Sequence, residues 1–136
     1  MRVVLDTNVL LAALRSRRGA SFRVLSLVGK GRFEITVSVP LVLEYEEVLT
    51  RQSATLGLTS KDVAAVLDYL CGASVHQTIF FLWQPRLPDP EDDMVLEAAV
   101  AGGCDAIITH NTRDFAGAHS FSIRVLTPRE LLEELT

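Results

Sequence analysis

Long hydrophobic runs, cysteines and repeats are scarce in this chain, and each scarcity excludes a class of protein. No apolar stretch approaches the ~18 residues that a membrane-spanning helix requires. The first apolar stretch, Val3-Val4-Leu5, stops at Asp6, so the N-terminus does not read as a signal peptide. Two cysteines, Cys71 and Cys104, supply no disulfide framework and fit a reducing cytosol. No internal repeat, low-complexity tract or linker breaks the chain, and nothing matches a Ser/His/Asp triad, a P-loop or a glycine-rich dinucleotide loop. The expectation is a cytoplasmic protein with no membrane contact.

Of the 136 residues, 49% are apolar and 22% charged, the balance of a globular chain with a core of its own. A chain of this size buries about two thirds of its unfolded surface, and its length fits one domain over residues 1–136. The net charge of −4 argues against a general nucleic-acid binder, but the distribution says more. Between Thr7 and Phe33 there is no acid, while Arg15, Arg17, Arg18, Arg23, Lys30 and Arg32 are all basic. From Asp89 to Glu97 there is no base, while Asp89, Glu91, Asp92, Asp93 and Glu97 are acidic. Such segregation suggests a positive surface near a negative pocket. The plainer reading of the basic stretch is a solvated helix face.

Short apolar strands are predicted over residues 3–5, 35–37, 106–108 and 123–126, separated by helical patterns near 9–15, 21–30, 40–51, 60–71, 91–102 and 128–135. Strands apolar on both faces and alternating with helices read as a parallel sheet covered on both sides. The fold class is therefore α/β, a three-layer α/β/α arrangement around a central, mainly parallel sheet. Thr127, Pro128 and Glu130 sign one helix start by cap, N1 proline and capping box, and Thr59 with Asp62 signs another. Residues 79–83, five consecutive apolar side chains, read either as a further strand or as an exposed partner surface.

Ligand sites of open parallel sheets lie beyond the carboxyl ends of the strands. Here those ends carry Asp6-Thr7-Asn8, Ser38, Thr109-His110-Asn111 and Thr127. Asp6 has a structural reading as a helix N-cap, unless Thr7 or Asn8 takes that role and leaves it for chemistry. On the helix after Pro90, counted at about 100° per residue from Asp92, Leu96 falls near 40°, Ala99 near 340° and Val95 near 300°. Asp92 thus projects along the apolar face, with Asp93 and Glu97 on the neighbouring polar strip. Helix capping by Asp89 and dipole stabilisation account for one or two of these acids, but not for a carboxylate aimed at the core side. In the helix from Pro40, Leu41, Val42, Tyr45, Val48 and Leu49 share an arc of roughly 120°. Glu44 and Glu46 flank that arc on opposite sides, and periodicity does not choose between them. His76, His110 and His119 are scattered and read as structural or exposed, His110 lying nearest the strand ends.

Carboxylates gathered at one place repel by about 4 kcal/mol for a pair roughly 4 Å apart at an effective dielectric near 20, so a cation is expected among them. Oxygen donors without a Cys/His cluster select Mg²⁺ or Mn²⁺ over zinc.

The stretches Val3-Val4-Leu5-Asp6-Thr7-Asn8-Val9-Leu10, Pro40-Leu41-Val42-Leu43-Glu44-Tyr45-Glu46-Glu47-Val48-Leu49, Asp89-Pro90-Glu91-Asp92-Asp93-Met94-Val95-Leu96-Glu97-Ala98-Ala99 and Ala106-Ile107-Ile108-Thr109-His110-Asn111-Thr112-Arg113-Asp114-Phe115 follow one another in order. Together they make the chain resemble the PIN-domain family, whose members include ribonuclease toxins of prokaryotic type II toxin–antitoxin pairs. The resemblance spans nearly the whole chain. It implies an Mg²⁺- or Mn²⁺-dependent endoribonuclease acting on RNA, dimeric, and inhibited by a small antitoxin. It places the family's catalytic acids on Asp6, Glu44 and Asp92, with Asp93 one register away, and metal ligands on Asp6 and Asp92. Where the family often has a further acid this chain has Asn111, which leaves Asp114 either as a replacement ligand or as a residue that turns the chain. Asn8, Thr109 and Asn111 at the strand ends, with Arg15, Arg17 and Arg18, are the candidate substrate contacts. Two other readings compete. A haloacid-dehalogenase-like phosphatase would want Asp where Asn8 stands, and a non-catalytic RNA- or protein-binding module would keep the fold without turnover.

Overall fold

Val3, Val4 and Leu5 have no polar atom beyond the backbone and are essentially inaccessible to water. Such a strand has to be covered on both faces, and it sits at the centre of the sheet. The computed structural model describes residues 1–78 and 90–136. The five strands, β1 (Arg2–Leu5), β2 (Glu34–Val37), β3 (Ser74–His76), β4 (Ala106–Ile108) and β5 (Arg124–Leu126), lie in the order β3-β2-β1-β4-β5. Every pairing is parallel; Val3 stands opposite both Ile35 and Ala106, and Leu5 opposite Ile108.

The helices are α1 (Thr7–Arg15), α2 (Ala20–Leu27), α3 (Val39–Leu56), α4 (Ser60–Ala73), α5 (Pro90–Ala101) and α6 (Pro128–Leu135), with 3₁₀ turns over Thr112–Phe121. From β1 the chain steps outward to β2 and β3, then returns to add β4 and β5 on the other side. Right-handed crossovers running in opposite directions put their helices on opposite faces. Accordingly α5 packs over β1, β2 and β4 beside the 3₁₀ turns, while α6 returns to pack on α2. The three-layer α/β/α arrangement is the one expected. The strand order reverses between β1 and β4, and at that point adjacent connections leave the sheet in opposite directions and open a crevice.

Both capping boxes form as read, Thr59 with Asp62 and Thr127 with Glu130. Two features differ from the expectation. β3 is an additional edge strand, half-exposed, with polar residues flanking Val75, so it lacks the apolar signal of a buried strand. The 3₁₀ turns are anchored by Phe115, which is fully buried although its neighbours are polar or small. The expectations for residues 79–83 and for Asp89 fall outside the described residues.

Candidate active site

β1 ends at Leu5, and the next residue turns the chain into α1. Asp6 caps that helix from an extended conformation, its Oδ1 accepting from the Thr7 amide at 2.8 Å. Its Oδ2 accepts from the Thr109 hydroxyl at 2.8 Å, and its own amide donates to the Ile108 carbonyl at 2.9 Å. Neither Thr7 nor Asn8 takes over the cap. Asp6 is therefore the helix cap, and it also lines the crevice, held to the β4 end and only 7% exposed.

Thr109 knits the β4 end together. It is fully buried, and besides donating to Asp6 it accepts from the Asn111 amide at 3.0 Å and from Asn8 Nδ2 at 3.4 Å. Asn8 Oδ1 in turn accepts from the His110 amide at 3.3 Å. Thr109 thus lies beneath the crevice as a support for Asp6, not on its wall, while Asn8 and Asn111 reach the wall.

α3 is started by Ser38, whose hydroxyl accepts from the Leu41 amide, and is fixed against β1 by Tyr45, whose hydroxyl donates to the Leu5 carbonyl. Burial, and then the negative charge of Asp6, push the Tyr45 phenol far above its ordinary range, so it remains a donor. With Tyr45 facing β1, Glu44 is carried into the crevice and is 8% exposed. Glu46 is exposed and lines a different depression, facing α4. The structure makes the choice that periodicity left open.

These elements enclose a cavity of about 220 Å³ lined by Asp6, Thr7, Asn8, Leu11, Glu44, Val48, Arg51, Asp92, Asn111 and Asp114. Four carboxylates from four separate segments share it. Asp92, in the first turn of α5, is half-buried on its wall. Asp93 and Glu97 are each buried, at 7% and 8% exposure, but do not line the cavity. Because α5 touches β1, β2, β4, α3 and the 3₁₀ turns, even the strip carrying its acids is covered. Asp114 turns the chain, its amide donating to the Asn111 carbonyl at 3.0 Å, and the residue also lines the cavity.

Arg51 was missed by sequence reasoning. It lies seven positions after Glu44, with Val48 between them, a spacing that returns to the same side of a helix and could have revealed it. Arg15, Arg17 and Arg18 are exposed and stand apart from the acidic cavity. Arg17 instead borders a separate groove of about 420 Å³ between α2 and α6, with Arg23 and Arg32 beside Phe22, Leu132 and Leu135. His110 is exposed and bonds Ser21 through Nε2 at 2.7 Å, tying α2 to the β4 end.

Among the described residues, those lining the cavity offer carboxylate, side-chain amide and Thr7 hydroxyl oxygens, with neither Cys nor His, a set suited to a hard divalent cation. Among the described residues no three acidic, His or Cys side chains already surround one point. Mg²⁺ bound through one or two carboxylates with its remaining positions filled by water fits such a cavity.

The sequence pattern of the PIN domain matches residues 2–113. A search of curated proteins finds no match. Among solved structures, the chain is similar to one in the crystal structure of VapBC2 from Rickettsia felis bound to a DNA fragment from their promoter. The TM-score is 0.58 at 14% identity, over 92% of this chain and 98% of that one.

Proposed function

The chain belongs to the PIN-domain family, and from that premise we propose that it is a divalent-metal-dependent endoribonuclease, the toxin of a toxin–antitoxin pair. The observation that carries the reading is the single cavity at the carboxyl ends of β1 and β4 on which Asp6, Glu44, Asp92 and Asp114 meet. Asp6 and Asp92, with Asp114, are assigned to hold Mg²⁺ or Mn²⁺. When bound, the ion lowers the pKa of water and offsets charge on the phosphoryl oxygens.

The chain's own residues do the rest. The Thr7 amide and the Thr109 hydroxyl fix both oxygens of Asp6, so this ligand is oriented before any ion arrives. Glu44, on the buried wall, accepts at a carboxylate oxygen the proton of the attacking water. The water oxygen joins phosphorus as one P–O ester bond breaks; the departing oxygen takes a proton from solvent water and Glu44 releases its own to solvent, leaving a phosphate on one fragment and a hydroxyl on the other. Asp93 lies one position beyond Asp92 and off the cavity, and its assigned part is to support that turn of α5. Asn8 and Asn111 offer side-chain amides to the sugar-phosphate backbone. Arg15, Arg17 and Arg18 hold flanking RNA by its phosphates, without reading sequence.

A small antitoxin and a homodimeric state are the partners that toxin members of the family imply. The fold likeness to the VapBC2 structure supports the antitoxin.

The test is cleavage of several structured and single-stranded RNAs with Mg²⁺ or Mn²⁺, beside Asp6→Asn. Asparagine retains an oxygen for the Thr7 amide, so the cap survives while the charge is lost. Cleavage by the wild type that needs metal and vanishes in Asp6→Asn supports the enzyme. A folded wild type that binds RNA and cuts none identifies the non-catalytic module.

A further inference from the structure

Among the described residues that line the acidic cavity, Arg51 alone is cationic. It stands on α3 two helical turns beyond Glu44, so both side chains rise from one side of the helix toward the same space. Its ionic partner is Glu47, one turn back, at 3.5 Å, and Glu47 does not line the cavity. The side chains of Arg51 and Glu47 are 58% and 67% exposed. A pair so exposed is weak and screened by salt. It can exchange partners without leaving a buried charge behind.

A polyanion approaching this cavity meets four carboxylates. A metal ion offsets that repulsion at the reacting phosphate, but the adjoining phosphates of the same strand carry charge of their own. We propose that Arg51 is a substrate-anchoring residue, its guanidinium exchanging Glu47 for the non-bridging oxygens of a phosphodiester next to the one cleaved. The proposal rests on the nuclease reading. The guanidinium suits the role because its planar fork matches two phosphate oxygens at once, which an ammonium does not. Its position at the wall of the acidic cavity also sets register, because the anchored phosphate fixes which neighbour reaches the carboxylates.

The experiment uses a single-stranded oligoribonucleotide substrate with Mn²⁺ and compares wild type with Arg51→Ala, Arg51→Lys and Arg129→Ala. Arg129 makes a similar i,i+4 pair, more exposed still, with Glu133 at 3.5 Å, away from the acidic cavity, and controls for loss of a surface charge. Arg51→Ala is expected to lower kcat/KM by about 10- to 100-fold, the range of a charge-assisted hydrogen bond, and mainly through KM. Lysine is expected to restore part of the loss, added guanidinium ion part of it in the alanine variant, and Arg129→Ala is expected to behave as wild type. Binding of the same oligonucleotide is also measured against salt in an Asp92→Asn background. There the slope of log K on log salt should shrink by about 0.7 when Arg51 is removed, the signature of one lost single-strand phosphate contact.

If the wild type cleaves RNA while Arg51→Ala keeps its KM within about twofold and its salt slope, the anchor is overturned and the nuclease reading stands. If the wild type binds with the Arg51-dependent slope but never cleaves, the anchor stands and the nuclease reading fails. A protein that neither binds nor cleaves overturns both.

Discussion

Asp6 accepts from the Thr7 amide through one carboxylate oxygen and from the Thr109 hydroxyl through the other, at 2.8 Å each. Thr109 is therefore the residue through which the end of β4 controls the orientation of the side chain that follows β1. Thr109→Val keeps the shape but removes the donor to Asp6 and the acceptor for the Asn111 amide. It is expected to cost about 1–3 kcal/mol in urea denaturation, as for buried partners left unsatisfied, and to depress RNA cleavage. Thr109→Ser should recover most of both, and a Val variant with full activity would show that Asp6 needs no such support. At this scale the sequence was informative where a residue follows a strand, as Asp6 does, because the strand end itself localises the site. It was less informative on helices. The angular count aims Asp92 at the core side and leaves Asp93 and Glu97 on a polar strip, whereas Asp93 and Glu97 are the buried pair and Asp92 is half-buried. Glu44 and Glu46 are equivalent by count and are told apart only by Tyr45 facing Leu5. Arg51 went unnoticed because a lone arginine on a mixed helix face carries no apolar signal.

The join of α3 to β1 depends on the Tyr45 hydroxyl at the Leu5 carbonyl, in a place where burial and the Asp6 charge oppose ionisation of the phenol. The folded-state pKa is raised above the value of about 10 expected in the unfolded chain. The stabilisation from keeping this phenol neutral is therefore fully present below pH ~10 and is lost as pH rises above it. Denaturation midpoints of the metal-free protein should fall between pH 9 and pH 11 (roughly the window of that titration). Tyr45→Phe should start about 1 kcal/mol less stable at neutral pH yet decline less steeply; an equal decline would assign the alkaline loss to other groups. Elements with strong local signals were readable: β1 and β4 from uninterrupted apolar triplets, α4 and α6 from their capping boxes. β3 escaped because an edge strand in this sheet needs only Val75 between polar neighbours. The 3₁₀ turns escaped because their anchor is one aromatic, Phe115, and a single buried residue has no period.

Over the whole molecule, the charge segregation visible in the sequence becomes two separate concavities, one acidic at the carboxyl ends of the strands and one bordered by arginines between α2 and α6. Four carboxylates of the described residues line the first of these, and an ion held among them binds the folded arrangement in preference to the unfolded chain. Mg²⁺ should therefore stabilise the protein, by about 2.7 kcal/mol when present at 100 times its Kd. Asp92→Asn removes one of the charges, so the metal-free variant is expected to melt no lower than wild type while gaining little from added Mg²⁺. Thermal melts of both proteins with and without the ion check this. A variant that melts far lower and still cleaves RNA would make Asp92 a structural residue of the α5 start.

The acidic cavity collects side chains from positions 6, 44, 92 and 114, and Asp6 and Thr109 are 103 residues apart in the chain. That separation acts as a clock during synthesis. A ribosome adding roughly 5–20 residues per second needs about 5–20 s to travel from Asp6 to Thr109, and throughout that interval Asp6 lacks its second hydrogen-bond donor. The β4 strand that would bring Thr109, and the turns that bring Asp114, emerge only after α5. A nascent chain arrested short of them carries three of those acids, at positions 6, 44 and 92, but neither the Thr109 hydroxyl that orients Asp6 nor the β4 end that completes the crevice.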